Sequence, residues 1–306
     1  VSSIKEILAA RVRVQSIIVQ TPVLADPSGS GIRFKAEHLQ RTGSFKLRGA
    51  SNRVIQAAAA GARHVVTGSS GNHGQAVAFI AKQLGIQATI VVPVDALPVK
   101  IKAIQSHGAT VVLHGLTSTE RLAKAEQIVA EQGAEFIAPY DDAQVIAGQG
   151  TVGLEILEQA PDVQTVYVPI GGGGLCSGVA TAIKCTSPWV KVIGVEPELA
   201  NDTYLSRKSG GIVDIGVTTS IADGLRAAHP GSMTFPIIQR YVDEIVLVSE
   251  TEIRSACSYM LERVKQVVEP SGAVSVAAAL RAGGKAVALV SGGNADLEGL
   301  YGIASR

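Results

Sequence analysis

The sequence is short of several things, and each shortage narrows its reading. Only 4% of its 306 residues are aromatic, with a single Trp, so a core must be built from Val, Ile, Leu and Ala. The three cysteines, Cys176, Cys185 and Cys257, are an odd number, lie far apart and show no C-x-x-C spacing. That pattern argues against a disulfide framework and predicts a reduced, cytoplasmic compartment. Charge is almost balanced, with 27 Lys and Arg against 26 Asp and Glu for a net +1. Such a balance asks for neither nucleic acid nor an anionic membrane. No apolar run is long enough to span a bilayer, and residues 1–20 alternate charged and apolar residues at helical spacing, without the apolar core of a signal peptide.

What is present is a globular chain, 46% apolar and 17% charged, long enough for two domains. Short β-branched runs alternate with Ala-rich helical stretches. Strands are predicted at His64–Thr67, Ala88–Val94, Ala109–Leu113, Glu135–Ala138, Thr165–Pro169, Val190–Val195 and Lys285–Val290. Helices are predicted at about Gly74–Leu84, Val99–Ser106, Thr119–Glu131, from Leu175 onward, and at about Gly272–Arg281. The strands run apolar without alternation, so they are buried on both faces. Strand–helix alternation through short links predicts an α/β fold of two open parallel sheets covered by helices. One unit spans roughly residues 54–141 and a second begins near 142. Periodicity does not assign the N-terminal segment to either.

Five constellations carry chemistry. In Gly43-Ser44-Phe45-Lys46-Leu47-Arg48-Gly49, Ser44 can cap a helix running through Ala60. Lys46 would then lie in the first turn, where the helix dipole and burial beside Phe45 lower an amine pKa toward a neutral nucleophile. Ser69-Ser70-Gly71-Asn72-His73-Gly74-Gln75 follows a strand and opens a helix, a corner suited to a carboxylate. Gly171-Gly172-Gly173-Gly174 sits between a strand and a helix. Its N–H groups converge with the helix dipole, so a phosphate fits. No Lys-Ser/Thr follows as in a P-loop. Ser291-Gly292-Gly293-Asn294 places a hydroxyl at the carboxyl end of a strand. Finally, Glu196-Pro197-Glu198-Leu199-Ala200-Asn201-Asp202 clusters hard oxygen ligands suited to a cation. Taken singly, most of these also read as a surface lysine, a tight turn or a solvated acidic loop.

Taken in order, Ser-Phe-Lys-x-Arg-Gly, Ser-Ser-Gly-Asn-His-Gly, Gly-Gly-Gly-Gly and Ser-Gly-Gly-Asn resemble the serine/threonine dehydratase and serine racemase family, from about Ile4 through Leu297. The resemblance implies a tryptophan-synthase-like fold that binds pyridoxal 5'-phosphate. The large domain would comprise residues 1–53 and 142–306, and the small domain residues 54–141. Position by position, it implies Lys46 as the Schiff-base lysine and Phe45 packed on the cofactor ring. Gly171, Gly172, Gly173, Gly174 and Leu175 would hold the phosphate, Ser291 would face the ring nitrogen, and Asn72 would partner the ring hydroxyl. Ser69, Ser70, Asn72 and His73 would grip the substrate carboxylate, with Arg121 a further substrate contact. Apart from the resemblance, Arg226 in Ala-Asp-Gly-Leu-Arg reads either as a contact for a second substrate carboxylate, as in 3-hydroxyaspartate, or as a surface arginine. Glu196, the carbonyl of Ala200 and Asp202 match the divalent-cation ligands (Mg²⁺, Ca²⁺ or Mn²⁺) of the racemase branch.

The expected activity is an ammonia-lyase converting a small β-hydroxy amino acid, of the serine, threonine or 3-hydroxyaspartate type, to a 2-oxo acid and ammonia. Ser70 stands where the racemase branch has its second acid/base, so racemase activity is the close alternative. A β-replacement synthase or a non-catalytic small-molecule-binding protein are the others. Departures from the mammalian racemase are Pro139-Tyr140-Asp141-Asp142, Leu122 and Ala227, which leave the substrate open. A homodimer, with no membrane or nucleic-acid partner and no added regulatory domain, completes the expectation.

Overall fold

A computed structural model describes residues 3–69, 71–96, 98–116, 118–295 and 302, apart from the side chains of residues 99, 118 and 119. Ten strands form two sheets: β1 (Val23–Ala25), β2 (Arg33–Ala36), β3 (His64–Gly68), β4 (Gln87–Val92), β5 (Thr110–Leu113), β6 (Glu135–Phe136), β7 (Thr165–Pro169), β8 (Lys191–Pro197), β9 (Glu244–Val248) and β10 (Ala286–Val290). One sheet has six strands in the order β1-β2-β10-β7-β8-β9, and the other four in the order β5-β4-β3-β6. Every pairing is parallel except that of β1 with β2. The molecule is therefore an α/β protein with two parallel-sheet domains, as the unalternated apolar runs predict.

Burial explains the order of the strands. The central strand β10 is buried along its whole length. Helix Pro270–Ala282 covers one face of the large sheet and helix Gly174–Thr186 packs in the cluster on the other. Alanine and glycine are frequent in these helices because they pack closely. A Cβ on Gly150 or Gly178 would collide where helices Ala143–Gln159 and Gly174–Thr186 cross.

Several elements depart from the sequence reading. β1, β2 and β9 and helix Ala143–Gln159 are additional. The last helix starts at Pro270 rather than Gly272. Ser44 is no helix cap. The helix begins at Lys46 and Phe45 already has helical dihedrals, φ −55° and ψ −22°, so Ser44 is one residue too early. It bridges Gly292 instead, and its buried hydroxyl finds no partner among the described residues.

β2 also carries a charge inward. Lys35 is 0% exposed and donates to Glu155 Oε2 at 2.6 Å, to the Thr21 carbonyl at 2.6 Å and to Gln159 Oε1 at 2.9 Å. Beside it Arg48, also fully buried, binds Glu37 through Nε and Nη2 at 2.8 Å each and Glu155 through Nη1 at 2.7 Å and Nη2 at 2.8 Å. Two cations and two carboxylates thus cancel in the interior, tying the Lys46–Ala59 helix to β2 and to helix Ala143–Gln159.

Candidate active site

The chemical motifs meet at the carboxyl ends of parallel strands. β3 ends at Gly68, β7 at Pro169 and β10 at Val290, each just before one of the glycine-containing turns. This is the edge at which open α/β sheets bind ligands.

Lys46 is the first residue of its helix. Its Nζ donates to the Pro139 carbonyl at 2.7 Å and lies 5.4 Å from the centre of the Phe45 ring. No carboxylate pairs with it among the described residues. Burial without a counter-charge pushes its amine down to about 8. Phe45 is tied to the opposite wall by its N–H, which donates to the Ser291 carbonyl at 3.0 Å. Ser291 is 3% exposed and its hydroxyl lies 3.4 Å from the Ser271 carbonyl.

The glycine run opens helix Gly174–Thr186, whose first N–H groups have no carbonyl within the helix to bind. Gly173 sits at φ +92°, a conformation that favours glycine. A Cβ on Gly172 would run into the Tyr140 ring, and one on Gly173 would lie 2.8 Å from Thr234 Oγ1. Leu175 follows, buried.

The segment joining the two sheets ties these parts together residue by residue. Pro139 offers its carbonyl to Lys46. Tyr140 lays its ring over Gly172 and its Cβ and backbone against Gly174. Asp141 accepts the N–H groups of Ser232 at 3.0 Å and Met233 at 2.8 Å, ahead of helix Thr234–Tyr241. Asp142 caps helix Ala143–Gln159 and pairs with Arg53 at 3.1 Å.

At the β3 corner, Asn72 begins helix Asn72–Leu84 and its amide lies between Glu269 and Asn294. Burial raises the Glu269 carboxyl to about 7. His73 is buried, its Nε2 is 3.1 Å from the Ile137 carbonyl, and burial with the nearby Lys46 charge lowers its pKa to about 3. It is a neutral imidazole at pH 7. The Ser69 hydroxyl accepts the Gly71 N–H at 3.4 Å. Ser70 lies outside the described residues. The Arg121 backbone packs against Gly68, while its guanidinium reaches the Leu116 carbonyl at 3.2 Å. Arg226 is exposed, and its Nε donates to the Ser220 carbonyl at 2.6 Å. It follows Leu225, whose Cα is the nearest atom to a Cβ on Gly171.

At the end of β8, Glu196 and Asp202 are both 0% exposed, and Ala200 is buried between them in sequence. Glu196 accepts the N–H groups of Thr203 at 3.0 Å and Tyr204 at 2.7 Å. Desolvation, then the Asp202 charge, raises Glu196 to about 8, and desolvation raises Asp202 to about 7. Asp202 Oδ1 is buried without a partner among the described residues. No group of three or more His, Cys, Asp or Glu suited to a metal occurs among the described residues. The cluster rests on two carboxylates and a carbonyl.

Glu269 escapes the sequence motifs, although one signal marks it. Pro270 is the first residue of its helix, a favoured place for proline, which leaves Glu269 as the residue entering the site before it.

A model of the pyridoxal-phosphate dependent enzyme family matches residues 14–292. An L-threonine ammonia-lyase of Geobacter sulfurreducens is 46% identical over 305 residues, covering 98% of this chain and 76% of its own. An L-threo-3-hydroxyaspartate ammonia-lyase of Saccharomyces cerevisiae is 41% identical, covering 96% of this chain and 93% of its own. The solved structure of maize serine racemase superposes with a TM-score of 0.93 at 38% identity, over 98% of this chain and 96% of that one.

Proposed function

Since the chain belongs to the family of pyridoxal-phosphate-dependent enzymes, we propose that it is an ammonia-lyase acting on a small β-hydroxy amino acid, with racemisation at the α-carbon as its companion activity. The observation that carries this reading is Lys46: a desolvated amine without a counter-charge, placed among a glycine cradle, an amide and a serine hydroxyl.

The site fits the cofactor. A lone amine at about 8 has the neutral fraction needed to take up an aldehyde. The N–H groups of Gly171, Gly172, Gly173, Gly174 and Leu175, where helix Gly174–Thr186 opens, would hold the phosphate. Phe45 would pack on the ring, Asn72 would donate to the ring oxygen, and Ser291 would meet the ring nitrogen with a neutral hydrogen bond. Bound there, pyridoxal phosphate supplies a conjugated ring that draws electrons from the substrate α-carbon.

The protein groups do the rest. The first N–H groups of helix Asn72–Leu84, with Ser69, Ser70 and Asn72, hold the substrate carboxylate, and neutral His73 adds no competing charge there. Lys46 takes the α-proton as general base. The β-hydroxyl departs as water, and the released enamine takes up water and gives a 2-oxo acid and ammonia. Ser70 would serve the opposite face of the α-carbon, which inversion requires and elimination from an L-substrate does not. Arg121 and Arg226 would read groups at the substrate's far end.

Glu196, the Ala200 carbonyl and Asp202 would hold a divalent cation such as Mg²⁺, Ca²⁺ or Mn²⁺. Two desolvated carboxyl groups with no salt bridge among the described residues, one keeping an oxygen unpartnered among them, support this. The reading takes residues 54–141 as the smaller domain, because β3 to β6 lie within it. It also takes the assembly as a homodimer and the compartment as the cytoplasm, in keeping with three free cysteines. Oxo-acid and ammonia release should be assayed with L-threonine, L-serine, D-serine and L-threo-3-hydroxyaspartate. Failure to release oxo acid from any of them, with cofactor bound, overturns the proposal.

A further inference from the structure

We propose that Glu269 and Asn294 are positioning residues that lock the Asn72 amide in the one orientation presenting an N–H to the cofactor's ring oxygen; this rests on the role given to Asn72 above. The amide is gripped at both ends. Asn72 Nδ2 donates to Glu269 Oε1 at 2.6 Å, and Asn72 Oδ1 accepts from Asn294 Nδ2 at 2.7 Å. Asn294 is oriented in turn, because the same Nδ2 donates to the Thr42 carbonyl at 2.8 Å. Turning the Asn72 amide over would set oxygen against the Glu269 oxygen and nitrogen against the Asn294 nitrogen. Of the two Asn72 N–H groups, Glu269 occupies one and leaves the other for the ring.

The backbone around this clamp is cut to admit it. A Cβ on Gly43 would strike the Asn294 amide, and a Cβ on Gly292 would strike Glu269 Oε1. The chain leading to Glu269 is irregular as well. Helix Glu250–Tyr259 passes into a π-helical turn at Met260–Val264, and Lys265 then takes φ +62°, alone among the described non-glycine residues in having a positive φ. Both features are uncommon and costly. Together they turn the chain toward the strand ends, where Glu269 enters the site with 6% exposure.

The test measures dissociation constants of the apoenzyme for pyridoxal phosphate and for its analogue lacking the ring hydroxyl, read by fluorescence. The wild type is expected to prefer the parent by about tenfold, the contribution of one hydrogen bond. Glu269→Met and Asn294→Ala should each shrink that preference to about twofold or less. Glu269→Gln, which keeps an acceptor in place, should retain it. Asn72→Ala is the reference. If it leaves the preference intact, or if the wild type has none, the role of Asn72 itself is wrong. If it removes the preference while either Glu269→Met or Asn294→Ala keeps it, the clamp alone is wrong. Loss in Glu269→Gln equal to that in Glu269→Met also overturns orientation by hydrogen bonding. Should one clamp variant fail to fold, the other decides.

Discussion

Lys35 and Lys46 are the same residue type, both with buried amines, and the protein treats them in opposite ways. Lys35 is sealed from water and surrounded by Glu155, Gln159 and the Thr21 carbonyl, with Glu37 and Arg48 beside it. Lys46 has a single carbonyl and an aromatic ring. Burial lowers both amines, but nearby carboxylates oppose it at Lys35 and nothing does at Lys46. A paired buried charge holds structure, and an unpaired one is held ready to react. The Glu196–Asp202 cluster is a third treatment, with two buried carboxyl groups that desolvation pushes toward the neutral form.

The largest test of this contrast is Lys46→Met. Turnover should fall by about 10⁴-fold or more, since no other amine is placed to act as base. The same variant should make the apoprotein more stable by about 3 kcal/mol at pH 7. The sign follows from an amine at about 8 in the folded chain against 10.5 for an ordinary lysine. The folded state pays for the charge fully below about pH 8, and the penalty fades as pH rises toward 10.5. Urea unfolding of both apoproteins across that range checks it; a variant less stable than wild type at every pH would show that Lys46 is not an unpaired charge. Capture of cofactor by the wild-type apoprotein should correspondingly quicken as pH rises toward 8.

Arg48→Met addresses the other side. It removes the cation bound to Glu37, leaves Glu155 with Lys35 alone, and should cost about 3–5 kcal/mol of stability, measured by denaturant midpoint. Turnover per folded molecule should change little, because Arg48 touches neither cofactor nor substrate.

Ser70→Ala sharpens the reactive side. Inversion at the α-carbon, followed by solvent deuterium uptake, should fall by about 10²-fold. Oxo-acid release from the L-enantiomer should persist, and release from the D-enantiomer should fall. Equal losses for both enantiomers would leave Ser70 as a carboxylate contact alone.

The smallest effect is expected from chelation. Stripping the cation from Glu196 and Asp202 should lower stability by about 1–2 kcal/mol, restored by Mg²⁺, Ca²⁺ or Mn²⁺. Indifference to chelation, with no metal by elemental analysis, sinks the cation site.

The two lysines also mark what was legible in the sequence. Lys46 stands beside glycines, at a helix start, among motifs at strand ends; those signals are local. Lys35 sits in Arg-Phe-Lys-Ala, where two charges in four residues hide a strand. Its partners Glu155 and Gln159 are 120 and 124 residues away, so only tertiary packing reveals its role. Glu269 was hidden for a like reason, since Asn72 lies 197 residues from it. Ser44 misled because a serine near a helix start is usually its cap, whereas here a bridge to Gly292 claims it. The short edge strands β1 and β9 follow a similar rule, being set by their neighbours more than by their own residues.

The Pro139–Asp142 segment has a consequence for how such a protein can change. Four adjacent positions answer to four different neighbours, from Lys46 and the glycine cradle to two helix starts. A mutation at Tyr140 will therefore be strongly epistatic with those neighbours. Laboratory evolution toward a larger substrate should find its first tolerated steps elsewhere, reaching this segment only through paired substitutions.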